Sequence, residues 1–167
     1  MLELKQITFS ADGKTILHNV DLVVPDGQLL AITGPNGDKS TLARIIAGIE
    51  QPDSGQILWN GLDITSYNIT ERAKLRLGYA FQQPVRFKGI SVFEQLKLAA
   101  GGDLTIVQAC DYLSQVGLCV REYVDRMVDG SLSGGKLKLI EIATILSRKV
   151  QMAVFDESEA GIDLWSF

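Results

Sequence analysis

Apolar and polar residues alternate along residues 1–33, a pattern typical of β-strands with one buried face. The apolar positions of the first such strand are Leu2, Leu4, Ile7 and Phe9. A turn sequence at residues 11–14, Ala-Asp-Gly-Lys, follows this strand. Residues 18–24 and 28–33 repeat the strand pattern, with Pro-Asp-Gly at 25–27 between them. The N-terminal region is therefore predicted to form three strands joined by turns.

Helical spacing and strand patterns alternate in the rest of the chain. Apolar residues on one helical face follow a glycine-rich loop, and they are Leu42, Ile45, Ile46 and Ile49. Strand patterns return at 55–60 and 77–81, and helical spacing is found at 92–99, 105–116 and 136–147. Residues 151–155 are a short apolar run bounded by polar residues, which predicts a buried strand.

Strands that alternate with helices predict an α/β fold, with a sheet core and an inserted group of helices. We assign residues 1–82 and 149–167 to the core and residues 83–148 to the helical insertion. In such folds the ligand binds at the carboxyl ends of the strands. We therefore expect functional residues directly after the predicted strands.

Composition and charge exclude several classes of function. The 167 residues are 46% apolar, enough for a buried core, and the net charge is -4 with no basic stripe that would favour nucleic acid. No apolar run approaches the roughly 20 residues of a membrane-spanning helix. Two cysteines, Cys110 and Cys119, give no disulfide framework. We expect a cytoplasmic protein that meets a membrane only through a partner.

A glycine-rich loop lies between the predicted strand at 28–33 and the next predicted helix, which is where a phosphate-binding loop (P-loop) belongs. Backbone N–H groups of such a loop point at phosphate oxygens, and the helix N-terminus adds a partial positive charge. Lys39 would reach the terminal phosphates of a nucleotide, and Ser40 would ligate Mg²⁺. The residues predicted to bind the nucleotide are Gly34, Asn36, Gly37, Lys39, Ser40 and Thr41.

The loop departs from the pattern G-x-x-x-x-G-K-S at one position. Asp38 alone stands where the pattern has two residues, the second of them a glycine. The shorter loop displaces the N–H donors relative to Lys39, and the carboxylate repels the phosphates. We therefore expect weaker ATP binding than an intact loop would give.

Four further motifs follow the loop in order. They are Phe-Gln-Gln-Pro at 81–84, Leu-Ser-Gly-Gly-Lys at 132–136, Ala-Val-Phe-Asp-Glu at 153–157 and Ala-Gly-Ile-Asp at 160–163. In this order they resemble the Q-loop, the signature motif, the Walker B strand with its glutamate, and the D-loop of ABC-type ATPases. The resemblance implies a P-loop NTPase core of the RecA-like type with a helical subdomain. Because the family continues beyond the D-loop, we expect a C-terminally truncated domain.

The resemblance also implies roles for individual residues. Asp156, Ser40 and Gln82 would bind Mg²⁺, and Gln82 would also sense the γ-phosphate of ATP. Glu157 would be the general base that activates water for hydrolysis. Ser133, Gly134 and Gly135 would face the ATP of a second ABC ATPase subunit in a nucleotide-sandwich dimer.

Within the family, two branches and one inactive state remain open. Gln-Pro-Val at 83–85 and Asp-Glu-Ser at 156–158 are similar to the ATPase of the SUF iron–sulfur cluster assembly system, which we favour. The short segment between Gln82 and Ser133 instead favours the ATP-binding subunit of a membrane transporter. The partner would be a SUF-like scaffold protein in the first case and a membrane transport subunit in the second. The altered P-loop allows a third alternative, a remnant that docks partners without hydrolysing ATP.

Overall fold

The computed structural model of the chain divides into two units, Met1–Leu77 and Gly78–Phe167. The structure describes residues 1–33, 38–87 and 89–156. The described part of the first unit is mainly an antiparallel sheet, and that of the second is a group of helices beside a strand pair. None of the helices in these ranges has the length and apolar character needed to cross a bilayer.

The N-terminal alternation builds the sheet of the first unit. Its strands are β1 (Leu2–Ala11), β2 (Lys14–Val24), β3 (Ser54–Trp59) and β4 (Leu62–Asp63), in the order β2-β1-β3-β4. Leu2, Leu4 and Ile7 are buried. The buried positions change from even to odd numbers after Leu4, because the register of β1 shifts between Leu4 and Ile7, where Gln6 has a φ of 51°.

The turn predicted between the first two strands is confirmed. Asp12 and Gly13 have φ values of 52° and 74°. These left-handed values are those of a two-residue hairpin loop whose twist matches that of the strands, and Asp-Gly is a favoured sequence for it. The hairpin of β1 and β2 is therefore specified locally by its turn.

Helix α1 (Asp38–Ala47) confirms the helix predicted after the glycine-rich loop. Leu42, Ile45 and Ile46 are buried, as their spacing predicts. The residue directly after the helix is Gly48, whose φ is 77° and whose added Cβ would lie 2.8 Å from the carbonyl oxygen of Tyr67. Ile49 follows this end and is 38% exposed, so its predicted place on the buried face is wrong.

Arg72 fixes the C-terminal end of α1 from inside the first unit. It lies on helix α2 (Ile69–Lys74), and its side chain is 1% exposed. Its guanidinium donates to five carbonyl oxygens, at distances of 2.6 to 3.0 Å, which belong to Ile45, Ile46, Ile64, Thr65 and Tyr67. Burial lowers the pKa of Arg72 to about 10, so the group stays protonated at neutral pH. A cation near a helix C-terminus also complements the helix dipole.

The second unit contains strand β5 (Leu77–Ala80), except for its first residue, and strand β6 (Met152–Phe155), and the two strands pair with each other. Between them lie α3 (Val92–Ala99), α4 (Ile106–Gln115), α5 (Val120–Tyr123) and α6 (Gly134–Ser147). The apolar faces of these helices form one core that includes Val92, Leu96, Leu113, Leu137 and Ile140. The predicted helices at 92–99, 105–116 and 136–147 are confirmed, with ends that differ by two residues at most.

The strand predicted at residues 28–33 is wrong, because the structure assigns no strand there. Leu29, Leu30 and Ile32 are 98%, 47% and 44% exposed. An apolar run becomes a strand only where another strand supplies hydrogen bonds, and no strand in the described ranges pairs with it. The predicted strand at 151–155 exists as β6, but it is only half-buried, with Phe155 46% exposed.

Candidate functional site

The phosphate-loop residues that the structure describes lie in the first turn of α1. Asp38 is exposed, and Lys39, Ser40 and Thr41 are half-buried. A carboxylate in the first turn of a helix is stabilised by the helix dipole, which explains why a helix can begin at Asp38. The same carboxylate occupies the anion-binding end of the helix. Gly34, Asn36 and Gly37 lie outside the described residues.

Asp156 is held in a defined orientation at the end of β6. It is 5% exposed, and its Oδ2 accepts a hydrogen bond from the hydroxyl of Tyr79 at 2.9 Å. Its backbone N–H donates to the carbonyl oxygen of Ala80 at 3.2 Å. Strand β5 therefore supplies a contact to the backbone of Asp156 and, through Tyr79, a contact to its side chain. Glu157, the predicted general base, lies outside the described residues.

Gln82 comes two residues after the end of β5 and is exposed. The residue before it, Phe81, contacts the ring of Tyr79 edge to face, with 4.9 Å between ring centroids. The N–H of Phe81 donates to Oε1 of Glu141 at 3.0 Å. The residue before Gln82 is therefore held by its ring, which contacts Tyr79, and by its backbone, which contacts Glu141.

The predicted signature residues lie at the N-terminus of α6. Ser133 is the N-cap residue, and its hydroxyl accepts a hydrogen bond from the N–H of Lys136 at 3.4 Å. Ser133 and Gly134 are exposed and Gly135 is half-buried. A capping hydroxyl still has a proton to donate, and the first N–H groups of a helix have no partner within it. This end of α6 can therefore offer donors to an anion.

Lys136 stands where the signature motif of ABC-type ATPases ends in glutamine or glutamate, and its side chain contacts an aromatic ring of the second unit. Its Nζ lies 5.8 Å from the ring centroid of Tyr123, within range of a cation–π interaction. The substitution adds a positive charge next to the helix N-terminus.

The second unit thus brings Asp156 together with the start of the predicted Q-loop. Tyr79 and Phe81 connect the two, and both lie at or just after strand β5. The sequence reasoning missed Tyr79 and Glu141. For Tyr79 the available signal was a polar group in the otherwise apolar strand β5. Glu141 gave no comparable signal, because helix α6 contains several other polar residues. Lys39, Ser40 and Thr41 lie in the first unit.

The donor atoms of the predicted metal residues suit Mg²⁺. Asp156 offers a carboxylate, Ser40 a hydroxyl and Gln82 an amide oxygen, and Mg²⁺ prefers oxygen ligands. Within the described ranges no cluster of three His, Cys, Asp or Glu residues forms another metal site. One carboxylate with one or two neutral oxygens is typical of a site in which phosphate oxygens and water complete the coordination of Mg²⁺.

The family model of ABC transporters matches residues 17–160 of the chain. The chain belongs to this family. An uncharacterized ABC transporter ATP-binding protein of Methanocaldococcus jannaschii is 38% identical to this cassette over 176 residues. That match covers 100% of the cassette and 70% of the relative. The spermidine/putrescine import ATP-binding protein of Mesoplasma florum is 32% identical, and the match covers 98% of the cassette and 47% of that protein.

Solved structures show the same fold. A dimeric ATP-binding cassette bound to ADP and phosphate has a TM-score of 0.85 to this cassette, over 99% of its length and 78% of the other chain, at 22% identity. This likeness confirms the predicted fold, an α/β fold of the P-loop NTPase type. The relatives named here are transporter proteins, and they give no support to the iron–sulfur assembly branch that the sequence motifs favoured.

Proposed function

We propose that this cassette is the ATP-binding subunit of an ABC transporter and that it binds and hydrolyses Mg²⁺-ATP. The observation that carries the proposal is the orientation of Asp156 at the end of β6, held by Tyr79 and by the backbone of β5. The order of the sequence motifs and the family membership support it. The membrane partner would use the energy released by hydrolysis to move its substrate.

The roles of the residues follow the motifs. Gly34, Asn36, Gly37, Lys39, Ser40 and Thr41 would bind the phosphates of ATP. Ser40, Gln82 and Asp156 would bind Mg²⁺, and Glu157 would accept the proton of the attacking water. When bound, Mg²⁺ neutralises negative charge on the β- and γ-phosphates. The protein contributes mainly by positioning groups and by stabilising charge.

A second copy of the cassette is the expected catalytic partner. Ser133, Gly134 and Gly135 lie at the N-terminus of a 14-residue helix, where backbone N–H groups can bind a phosphate of ATP held by the other copy. The similar solved structure described above is dimeric, which supports this arrangement. The two copies would then be related by a two-fold axis.

The membrane subunit is proposed to contact the surface that follows the Q-loop. Val85, Phe87 and Leu98 of the second unit are 45%, 49% and 69% exposed, so they offer apolar side chains to a partner. The names of the relatives favour a transport subunit over a cluster scaffold as the partner, and one relative is an importer. The Asp-Glu-Ser sequence at 156–158 is the observation that keeps the scaffold as the alternative.

Purification of the tagged cassette from detergent-solubilised cells that encode it tests this proposal. We expect a protein with several membrane-spanning helices to be retained, and the double variant Val85→Ser, Phe87→Ser to lose most of it, because the apolar contact is removed. Leu62→Ser changes a residue of similar exposure, 46%, in the first unit and is the control. Retention of a soluble scaffold protein instead would contradict the transporter proposal and favour cluster assembly.

A further inference from the structure

A buried ion pair on helix α6 forms hydrogen bonds with both the backbone N–H and the backbone C=O of Phe81. Nζ of Lys138 lies 3.0 Å from Oε2 of Glu141, and the two side chains are 0% and 14% exposed. Oε1 of Glu141 accepts from the N–H of Phe81 at 3.0 Å. Lys138 donates to the carbonyl oxygen of Phe81. We call these two side chains, together with the backbone of Phe81, the Phe81 clamp.

Stability alone does not account for the clamp. Burial of a lysine and a glutamate carries a large desolvation cost, and apolar residues of similar volume are often at least as stabilising as a buried ion pair. An apolar pair could not, however, bind the N–H and the C=O of Phe81. What the ion pair adds is therefore a fixed backbone direction at the point where the chain leaves β5.

The position of the clamp connects two elements of the proposed site. Phe81 is the first residue after β5 and directly precedes Gln82. Lys138 and Glu141 lie on α6, the helix whose N-terminus carries Ser133. A rigid helix with a hydrogen-bonded contact to Phe81 fixes the start of the Q-loop relative to the signature residues.

We propose that Lys138 and Glu141 are positioning residues for Gln82. They act through Phe81, and they couple the placement of Gln82 to helix α6. The proposal rests on the function proposed above for Gln82, that of binding the Mg²⁺ of bound ATP. Without the clamp, Gln82 would leave β5 over a range of backbone directions and would contribute less to the metal site.

The double variant Lys138→Met, Glu141→Leu tests the proposal, because it leaves no unpaired buried charge. Three quantities are measured: the hydrogen exchange rate of the Phe81 amide, the melting temperature, and the affinity for a fluorescent ATP analogue with and without Mg²⁺. We expect a melting temperature near that of the wild type and about tenfold faster exchange at Phe81, the equivalent of one lost hydrogen bond. The gain in affinity from Mg²⁺ should fall several-fold.

Two further variants separate positioning from general packing. Thr144→Val removes two partly buried hydrogen bonds of the same helix, from Nε2 of Gln95 to Oγ1 of Thr144 at 3.1 Å and from that hydroxyl to the carbonyl oxygen of Ile140 at 2.7 Å. It should change neither the exchange at Phe81 nor the Mg²⁺ effect. Glu141→Gln keeps an oxygen acceptor for Phe81 and should retain most of the protection of its amide. If the double variant does not fold, Lys138→Gln, Glu141→Leu, which also leaves no unpaired buried charge and removes the acceptor of the Phe81 N–H, is measured in its place.

Unchanged exchange at Phe81 in the double variant, or an equal loss of the Mg²⁺ effect in Thr144→Val, would overturn the proposal. A loss of the Mg²⁺ effect without faster exchange at Phe81 would also overturn it. If the wild type shows no Mg²⁺ effect on nucleotide affinity, the proposed function fails. The exchange comparison still decides whether the clamp fixes Phe81.

Discussion

Insertion of a glycine between Asp38 and Lys39 is expected to raise the affinity of the chain for Mg²⁺-ATP by roughly tenfold to a hundredfold. The insertion restores the loop length that places backbone N–H groups around the phosphates. It also moves the Asp38 carboxylate away from the first turn of α1. A like charge about 6 Å from a phosphate costs on the order of 1–3 kcal/mol near a protein surface.

Titration with a fluorescent ATP analogue measures this effect. Asp38→Asn, without the insertion, isolates the contribution of charge and should recover only part of the gain. A glycine inserted between Gly101 and Gly102, in the exposed loop between α3 and α4, is the matched control and should leave the affinity unchanged. If the insertion at Asp38 brings no gain, the altered loop does not limit nucleotide binding.

Glu157→Gln is expected to reduce ATP turnover by about a hundredfold to ten-thousandfold in the chain with the repaired loop, the range typical for loss of a general base. ATP affinity should stay nearly the same, because glutamine has the same shape and keeps one oxygen acceptor. Release of phosphate under single-turnover conditions measures the rate.

Glu159→Gln neutralises a carboxylate two positions further along the sequence and is the control for the loss of charge. It should leave the turnover of the repaired chain within a few-fold of its original value. Equal rates in the repaired chain and in its Glu157→Gln variant would show that Glu157 is not the base. That result would favour the alternative of a partner-docking remnant that does not hydrolyse ATP.

Local sequence signals specified the elements that were predicted best. The segment predicted as a helix at 92–99 is α3, and Ser91 and Glu94 form a capping box at its start. Thr105 and Gln108 do the same for α4. In these cases the residues that define the helix end lie within one turn of it, so the sequence alone contains the information. The same signal at Asn68 and Glu71 marks α2, which the hydrophobic pattern did not reveal.

Long-range contacts explain what the sequence could not predict. Residues 28–33 have the composition of a strand, but a strand also needs a neighbour, and the local pattern does not specify one. Arg72 contacts carbonyl oxygens that lie up to 27 positions away in sequence, and Lys138 and Phe81 are 57 positions apart. Neither contact leaves a periodic signal in the sequence.

The candidate site also has a part that the sequence could predict and a part that depends on long-range contacts. The residues of the site were predicted from the resemblance to ABC-type ATPases and from the groups that phosphate and Mg²⁺ prefer after strand ends and at helix starts. The structure confirms that Ser133 lies at the start of a helix and that Asp156 directly follows a strand. The supporting contacts of Tyr79 and Glu141 were not predictable, because they depend on packing between β5, β6 and α6.

The Mg²⁺ dependence of ATP affinity, compared in the wild type, Asp156→Asn and Asp129→Asn, tests the central claim most directly. Asp129 is an exposed carboxylate of the same unit whose pKa is lowered by hydrogen bonds from Ser131, so its removal controls for the loss of a charge. We predict that Mg²⁺ raises the affinity of the wild type and of Asp129→Asn by about tenfold or more and has little effect on Asp156→Asn. An Asp156→Asn variant that retains the full Mg²⁺ effect would contradict the assignment of Asp156 as a magnesium ligand in an ATP site.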